Sequence, residues 1–488
     1  MTTTTTRSPY GIVSYATYLP RHRVMRDELG TALGVRAGRG ARVAASFDED
    51  STTMGVEAAR RLRPAPPAPA SLYFATTSPA YLDKTNACAL HAALGLPRDT
   101  FAADLAGSAR SGIAALRAAG FDGGLAVLSD VRTGRPGSAD ERDGGDGAAA
   151  FLFGAADAAV AEILAHTSAT AEFLDRWRTP GSPSGEQWEE RFGLGRYLPL
   201  IEDTGQRALK AAGTGQPDHV LLVSPNAAVR KRAPKVFPAR LSASGSPLGH
   251  SGAADAGLAL ADVLDRAGAD ETILLLSAAD GCDALLLRTT DRLPSARQHD
   301  PLARQLAEGR PVPYTTYLTW RGWLEREPPR RPEPDRPAGP PSARGEGWKF
   351  GFTGSRCENC GFVHLPPARV CKDCGAVDAM AAVPLAGATG TVATYTVDRL
   401  AHSPSPPLID AVVDFDGGGR CTLEIADTVA GELDVGVRVE PVFRRLHTAG
   451  GVHNYFWKAR TTAGTTAGMT AGMTASDAAD TSEREGTA

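Results

Sequence analysis

The sequence has no run of 18 or more apolar residues, which excludes a segment able to cross a membrane as a helix. Its first residues, Met1 through Arg7, include five consecutive threonines and lack the apolar core of a secretory signal peptide. An excess of basic residues is missing too: the net charge is -4, whereas nucleic-acid binding typically leaves a basic footprint. We therefore expect a cytoplasmic protein that binds neither a membrane nor nucleic acid.

Cysteine is scarce, with seven in 488 residues, yet four of the seven fall within eighteen residues. They form two Cys-x-x-Cys pairs: Cys357, Cys360, Cys371 and Cys374. Gly361 and Gly375 follow the second cysteine of each pair, where a knuckle turn needs a positive φ. Four unrelated core cysteines or a redox pair explain this pattern less well, so we expect one structural Zn²⁺ held by four thiolates in a reducing compartment.

At 488 residues the chain exceeds the roughly 250–300 residues that one hydrophobic core usually fills, so we expect at least two domains. From about residue 10 to 288 strand-like apolar runs alternate with helix-like runs, which predicts α/β organisation. Two such runs, Gly124 through Ser129 and Thr272 through Ser277, occupy comparable positions in two halves, and each is followed by a second apolar run. The sequence therefore predicts a duplicated α/β core with buried strands.

The composition shifts to proline, arginine and glutamate between Glu325 and Gly347, which favours an extended linker. After the cysteines, short alternating runs separated by glycine and proline predict a small antiparallel barrel. The predicted organisation is a disordered N-terminus (1–9), an α/β domain (10–324), a linker (325–347), a zinc ribbon (348–380), a barrel (381–461) and a disordered tail (462–488).

The ribbon and the barrel, residues 340–461, together resemble the family in which a rubredoxin-like zinc ribbon precedes an OB-fold. Members accompany thiolase-like enzymes as a separate subunit or a fusion. The resemblance implies a role in acyl-CoA handling and a thiolase-like partner, here fused on the N-terminal side. Nucleic-acid binding is the minor alternative, opposed by seven Lys/Arg against ten Asp/Glu between Ala376 and Arg460.

Three segments of the larger domain stand out: Tyr15 through Pro20 at the end of a strand-like run, the Asp-Glu-Asp stretch within Phe47 through Met54, and Asp146 through Ala150. They resemble, in this order, the first strand end, the early Asp-Glu-Asp motif and the Gly-Asp-Gly-Ala-Gly segment of the hydroxymethylglutaryl-CoA synthase and ketoacyl synthase III branch of the thiolase superfamily. The resemblance implies a duplicated five-layer α-β-α-β-α core, a homodimer, and a thioester of CoA or of an acyl-carrier protein as substrate.

The sequence departs from the family at the matching catalytic positions. In Phe-Ala-Thr-Thr-Ser, Thr77 takes the place of a glutamate, and in Asp-Leu-Ala-Gly-Ser-Ala-Arg-Ser-Gly, Ala109 takes the place of the nucleophilic cysteine. In Val-Ser-Pro, Val223 takes the place of a histidine. His250, in Leu-Gly-His-Ser-Gly, matches the loop that helps to form an oxyanion hole and is the polar catalytic-type side chain that survives.

Neither alanine nor valine can attack a thioester or move a proton, so the family's covalent acyl-enzyme is not expected. His250 and backbone N–H groups near Ala109 can still polarise a thioester or ketone oxygen. Tyr81, Asp83 and Thr77 are candidate bases by position, and a Ser108 nucleophile is the alternative.

The sequence therefore predicts an acyl-thioester enzyme that forms or cleaves a C–C bond by a cysteine-independent Claisen or aldol-type step, in secondary metabolism. The rival reading is a catalytically degenerate thiolase-fold scaffold or partner subunit that binds acyl-CoA.

Overall fold

The computed structural model describes residues 9–63, 68–237, 241–327, 330 and 334–462. The chain divides into two compact units: the first comprises Met1–Arg336 and Arg445–Asn454, and the second comprises Pro337–Arg444 and Tyr455–Ala488. The predicted disordered ends lie outside the described residues, except for Pro9 and Thr462. The finer domain boundaries given above stay predictions.

The first unit contains the α/β core. Its strands are β1 (Tyr10–Tyr18), β2 (His22–Met25), β3 (Ala41–Ala44), β4 (Ser71–Thr76), β5 (Phe101–Ala106), β6 (Leu125–Asp130), β7 (Gly147–Ala155), β8 (Ala161–Thr170), β9 (Arg176–Trp177), β10 (Glu186–Gln187), β11 (His219–Val223), β12 (Leu241–Ser244), β13 (Thr272–Ser277), β14 (Gly281–Thr289) and β15 (Arg310–Pro311). Its helices are α1 (Arg26–Leu33), α2 (Ser51–Arg60), α3 (Ala87–Ala93), α4 (Arg110–Asp122), α5 (Ala139–Asp143), α6 (Glu190–Ala212), α7 (Ala227–Val236), α8 (Asp255–Leu264), α9 (Leu302–Ala307) and α10 (Tyr314–Trp320).

The main sheet shows the predicted duplication. Its strand order is β12-β11-β13-β14-β8-β1-β7-β6-β4-β5. In one half β4 is parallel to β5 and β6, and β6 is antiparallel to β7; in the other half β11 is parallel to β12 and β13, and β13 is antiparallel to β14. The halves join where β1 and β8 pair.

Helices on both sides of each half explain why the strands are continuous apolar runs. Every residue of β6 and of β13 is buried, which is the pattern of parallel strands covered on both faces. Helix α8 contacts α4 and strands of both halves, so α4 and α8 form the middle layer, while α2 and α6 cover the outer faces. This is the five-layer α-β-α-β-α architecture expected from the sequence.

The second unit contains the ribbon and the barrel. Its elements are α11 (Gly339–Arg344), α12 (Glu346–Lys349), β16 (Thr353–Cys357), β17 (Val363–His364), β18 (Met380–Pro384), β19 (Gly390–Asp398), β20 (Leu408–Phe415), β21 (Arg420–Glu424), β22 (Arg438–Ala449) and β23 (Val452–Thr461), of which the last two include residues counted with the first unit. The barrel strands run in the order β21-β20-β19-β22-β23. A parallel bridge between Ile425 and Ala459 brings the two outer strands together, as a closed OB-fold barrel requires.

The proline-rich segment differs in part from the extended linker that composition predicted. Residues Gly339–Arg344 form helix α11, with Pro340 and Pro341 in its first turn. Proline is tolerated there because the first N–H groups of a helix have no intrahelical acceptor. Among the residues that the structure describes, no helix is both long and apolar enough to span a bilayer.

Candidate active site and zinc centre

The four predicted zinc ligands meet in the second unit. The Sγ atoms of Cys357, Cys360, Cys371 and Cys374 all lie within 4.8 Å of one another. Two of the separations are 3.6 Å (Cys357 to Cys374) and 3.5 Å (Cys360 to Cys371). Four thiolates at Zn–S bonds of about 2.3 Å stand roughly 3.8 Å apart in a tetrahedron, so this cluster fits one structural zinc ion.

Two matching knuckle turns build this cluster. The N–H of Gly361 donates to the carbonyl oxygen of Cys357 at 2.8 Å, and the N–H of Gly375 donates to that of Cys371 at 3.0 Å. Both glycines have positive φ, at 80° and 75°. The glycines predicted to close the knuckles therefore occupy the left-handed conformation that other residues rarely adopt.

The candidate active site of the first unit lies at the carboxyl ends of β4 and β6. Thr77 follows β4 directly, and Asp130 ends β6. Oδ2 of Asp130 accepts hydrogen bonds from the Thr77 hydroxyl at 2.7 Å and from the N–H of Ala253, in the loop before α8, at 2.8 Å. A Cβ on Gly112, in the first turn of α4, would lie 2.1 Å from the carbonyl oxygen of Ala253. The strand ends, the loop and the start of α4 are therefore in direct contact.

Thr77 is buried, with 6% of its surface exposed, and is hydrogen-bonded on several sides. Its N–H donates to both oxygens of Asp130 at 3.2 Å. Its hydroxyl oxygen accepts a hydrogen bond from Nη1 of Arg132 at 3.0 Å, and its carbonyl oxygen accepts one from Arg178. Because the hydroxyl donates to Asp130, Thr77 serves as a structural link and a poor base.

His250 is buried beside a carboxylate. Its Nδ1 lies 3.4 Å from Oδ2 of Asp255, whose Oδ1 accepts a hydrogen bond from the N–H of Ser246 at 2.9 Å. Burial lowers the pKa of His250 to about 4, against the opposing effect of Asp255, and Arg132 lowers it further. The imidazole is therefore neutral at pH 7. With Nδ1–H directed at Asp255, Nε2 carries the lone pair, and within the described residues no side chain or backbone group is hydrogen-bonded to it.

Arg132 was not predicted from the sequence, yet it lies beside both Thr77 and the His250 loop. A Cβ on Gly252 would lie 1.9 Å from Oδ2 of Asp130 and 3.1 Å from Cδ of Arg132, so the loop lies against both side chains. Gly252 also has a φ of 58°, which suits glycine. Asp130 is the last residue of a buried parallel strand and Arg132 follows it closely; this location was the one sequence signal that could have identified the two residues.

Ala109 and Val223, which the sequence predicts to be lost catalytic positions, lie at a helix start and at a strand end. Ala109 is the N-cap residue of α4, where a helix dipole would favour a thiolate. Val223 ends β11 with 4% of its surface exposed and belongs to the same apolar cluster as Ala253. Neither side chain can exchange a proton or attack a carbonyl.

Ser108 faces a different environment from Thr77 and His250. It lines a cavity of about 570 Å³ together with Arg110, His166 and Asp283. Its Oγ accepts a hydrogen bond from the N–H of Arg110 at 3.3 Å, and no histidine among the described residues is hydrogen-bonded to it. Arg110 is in turn held by an ion pair with Asp283 at 2.7 Å. Because no base is hydrogen-bonded to Ser108 among the described residues, the serine nucleophile stays the alternative prediction.

Tyr81 and Asp83 do not join the cluster around Asp130. The Tyr81 hydroxyl oxygen accepts a hydrogen bond from the N–H of His453 at 2.8 Å, and the two rings are 5.1 Å apart. Asp83 is exposed on the same loop. Of the predicted site residues, the structure thus brings together Thr77, the loop that carries His250 and the turn that begins at Ala109.

The duplicated sheet, the middle layer of α4 and α8 and a site at the carboxyl ends of the strands define the first unit as a thiolase-fold protein. Among solved structures, PksG, a hydroxymethylglutaryl-CoA synthase from Bacillus subtilis, matches with a TM-score of 0.56 at 20% identity, over 64% of this chain and 88% of that one. The hydroxymethylglutaryl-CoA synthase of the curacin biosynthetic pathway, in complex with a holo donor acyl-carrier protein, matches with a TM-score of 0.54 at 17% identity, over 64% and 88%.

The hydroxymethylglutaryl-CoA synthase of Archaeoglobus fulgidus is 30% identical over 338 residues, which cover 64% of this chain and 98% of that protein. The chain therefore belongs to the hydroxymethylglutaryl-CoA synthase family. Residues 351–378 match the family described as the ChsH2 rubredoxin-like zinc ribbon domain, and residues 382–444 match the ChsH2 C-terminal OB-fold domain. The two resemblances seen in the sequence are both confirmed.

Proposed function

We propose that this protein binds an acyl thioester of CoA or of an acyl-carrier protein and forms or cleaves a C–C bond without a covalent acyl-enzyme. The reaction is a Claisen or aldol-type step in secondary metabolism. The observation that carries the proposal is the pair of His250 and Asp255, a buried imidazole beside a carboxylate. It lies on the loop whose Ala253 N–H donates to Asp130 and whose Ala253 carbonyl lies against the first turn of α4.

In this proposal His250 is the base. Asp255 fixes the ring orientation, and the depressed pKa keeps Nε2 unprotonated at neutral pH. Nε2 accepts a proton from the carbon next to the thioester carbonyl, and the resulting carbanion attacks a second carbonyl group. In an aldol-type step the imidazolium then returns its proton to the new alkoxide. In a Claisen-type step the tetrahedral alkoxide instead expels the thiolate of the second thioester, and the imidazolium protonates that thiolate, so that the enzyme ends in its starting state either way. The same residues serve bond cleavage in the reverse direction.

The enolate oxygen needs hydrogen-bond donors that are already in place. Helix α4 is thirteen residues long, and its N-terminal N–H groups begin at the position of the family nucleophile. The N–H of Ala109 has no acceptor among the described residues. One well-placed oxyanion donor contributes about 3–4 kcal/mol to transition-state stabilisation, enough to support a reaction that lacks a covalent intermediate.

The choice of substrate rests on the relatives. Members of this family are named for CoA chemistry, and the curacin synthase binds an acyl-carrier protein. We propose that this chain likewise acts on a thioester of CoA or of a carrier protein. We also propose that it is a homodimer in the cytoplasm. The zinc ion is structural, because all four ligands come from protein and no open coordination position is left for substrate.

The direct test is mass spectrometry of the purified protein with acyl-CoA thioesters, singly and in pairs, beside His250→Ala and His219→Ala. His219 is a matched control because it also pairs with a carboxylate, Glu271, at 2.6 Å, but near the surface. New C–C products that disappear in His250→Ala and persist in His219→Ala are expected. Turnover that survives the loss of His250 would refute the assignment of the base.

The second candidate is a scaffold that binds acyl-CoA without catalysis. It is favoured by the replacement of three family catalytic positions by Thr77, Ala109 and Val223. Thioester binding without any product from any pair of substrates would establish the scaffold in place of the enzyme.

A further inference from the structure

Arg132 is held in one position by its backbone and its aliphatic stem. Its N–H donates to Oδ1 of Asp146 at 2.8 Å, and its carbonyl oxygen accepts a hydrogen bond from Arg42. Its Cδ lies against Gly252, and its Nη1 donates to Thr77 at 3.0 Å. The guanidinium is therefore placed between the Thr77 loop and the His250 loop by contacts that do not depend on a ligand.

Unlike its neighbours, Arg132 has no counterion. Arg42 pairs with Asp146 at 3.0 Å and Arg321 with the same carboxylate at 2.5 Å. Arg176 pairs with Asp140. Among the described residues, no carboxylate lies within ion-pairing distance, 4.0 Å, of Arg132.

Asp130, two residues before Arg132, already accepts hydrogen bonds from other groups. Its Oδ2 accepts from the Thr77 hydroxyl and the Ala253 N–H, and its Oδ1 accepts from the Ser78 hydroxyl at 2.6 Å. The pKa of Arg132 is lowered by burial and by the nearby Arg176, whereas Asp130 and Asp140 compensate only in part. A partly buried cation that is repelled by a second arginine and only partly compensated by two carboxylates lacks a directly bound counterion.

We propose that Arg132 binds a carboxylate at the far end of the substrate's acyl chain, so that the preferred thioesters are those of dicarboxylic acids. This inference rests on the proposed function, since it assumes that a thioester occupies the site. Nη1 is used by Thr77, and Nε and Nη2 have no hydrogen-bond partner among the described residues. Those two nitrogens form one edge of the planar guanidinium, and such an edge binds a carboxylate through two parallel hydrogen bonds.

The location of Arg132 favours the acyl chain over the phosphates of CoA as the source of the anion. Arg132 contacts Thr77 and the loop of His250, which supplies the base. In a CoA thioester the pantetheine arm separates the reacting carbon from the phosphates. An anion bound next to the base is therefore one that the acyl group itself carries.

The experiment compares succinyl-CoA with butyryl-CoA by isothermal titration calorimetry on the full chain, with free CoA as a third ligand. The two acyl groups have the same carbon chain and differ by a terminal carboxylate in place of a methyl group. We expect the protein to bind succinyl-CoA at least about tenfold more tightly, the effect of one charge-assisted contact. Arg132→Met should abolish this preference and leave the affinity for free CoA unchanged.

Arg132→Lys keeps the charge without the planar edge and should retain part of the preference. Arg135→Met is the matched control, because Arg135 is an exposed arginine of the same loop and should behave as the wild type. Equal affinity of the wild type for both thioesters would overturn the inference alone. A loss of free-CoA binding in Arg132→Met would assign Arg132 to the phosphates and overturn it as well. Failure of the wild type to bind any of the three ligands would instead refute the proposed function.

Discussion

The hydroxyl of Thr77 donates to Oδ2 of Asp130 across 2.7 Å, at the position where relatives of this chain are expected to carry a catalytic glutamate. The same carboxylate accepts the N–H of Ala253, so that one buried aspartate connects the end of β4 to the loop that carries His250. A position expected to be catalytic has thus become part of the hydrogen-bond network that positions the remaining groups. The Thr77 hydroxyl is thus occupied as a donor, which is why the proposed base is His250.

Thr77→Val should lower stability, because it keeps the shape of the side chain but removes the hydroxyl that connects Asp130 and Arg132. Without this hydroxyl, the Asp130 carboxylate and the Arg132 guanidinium each lose one hydrogen bond, which should lower the free energy of unfolding by about 1–3 kcal/mol. Urea denaturation followed by circular dichroism measures this difference. Thr77→Ser retains the hydroxyl and should lose much less, and a valine variant as stable as the wild type would show that the link contributes nothing.

The pH dependence of the protein should reflect the lowered pKa of His250. The unfolded chain protonates this residue near pH 6.5, whereas the folded protein does so at about 4. Between these values the unfolded state binds more protons, so the contribution of His250 to stability is complete above pH 6.5 and decreases as the pH falls toward 4.

Turnover that depends on His250 should therefore persist below pH 6 and fall off near pH 4. The acidic limb of a kcat/KM profile reports the pKa of the free enzyme's base. A limb close to 6.5 would mean that the imidazole titrates as in water and is not buried beside Asp255.

Asp255→Asn removes the carboxylate that orients the ring and should reduce kcat without abolishing binding.

A thiol placed at the start of α4 should restore covalent chemistry with the substrate. In Ala109→Cys the new thiol would lie at the N-terminus of a thirteen-residue helix, whose dipole lowers a thiol pKa. We expect an acetyl adduct on this variant after incubation with acetyl-CoA, detected by intact-protein mass spectrometry. Ala114→Cys, exposed one turn further along the same helix, is the control. An acetyl adduct on the wild type would contradict the cysteine-independent mechanism.

Much of the fold was predictable because the buried strands consist of nearly continuous apolar residues, which are recognisable in the sequence. The runs predicted at Gly124 through Ser129 and Thr272 through Ser277 correspond to β6 and β13, which are apolar on both faces. The zinc cluster was predictable because its four ligands are close in sequence. Composition was a weaker guide to the proline-rich segment, where Gly339–Arg344 is helical, since proline disfavours helix interiors but not first turns.

The site was predictable only where a motif marks it. Thr77, Ala109 and His250 lie in the segments whose resemblance to the family was recognised from the sequence. Asp130 and Arg132 gain their roles from tertiary contacts, since Asp130 is 53 positions from Thr77 and 123 from Ala253. A single sequence has no pattern that links residues so far apart, and arginine near a strand end is ordinarily a solvated side chain.

Loss of one zinc ligand should unfold the ribbon. Cys371→Ser removes a thiolate from the cluster, and metal content measured by mass spectrometry should fall from one zinc per chain to almost none. Hydrogen exchange should increase across residues 351–378 because the two knuckles have little apolar core of their own. Cys421→Ser, in β21 and outside the cluster, should keep both the zinc and the protection. Full protection in a zinc-free Cys371→Ser protein would show that the metal is not structural.

The exposed edge of the main sheet predicts how two copies of this chain associate. Strand β5 pairs with β4 on one side and ends the sheet on the other, and Phe101 at its start is 59% exposed. An unprotected edge with an exposed aromatic residue favours pairing with a second copy about a two-fold axis, as the family resemblance implies.

Light scattering after size-exclusion chromatography should give a dimer for the wild type and a monomer for Phe101→Arg. Leu400→Arg, at a position 88% exposed on the barrel, should remain dimeric. A monomeric wild type at micromolar concentration would contradict association through β5, and a dimeric Phe101→Arg would place the interface elsewhere.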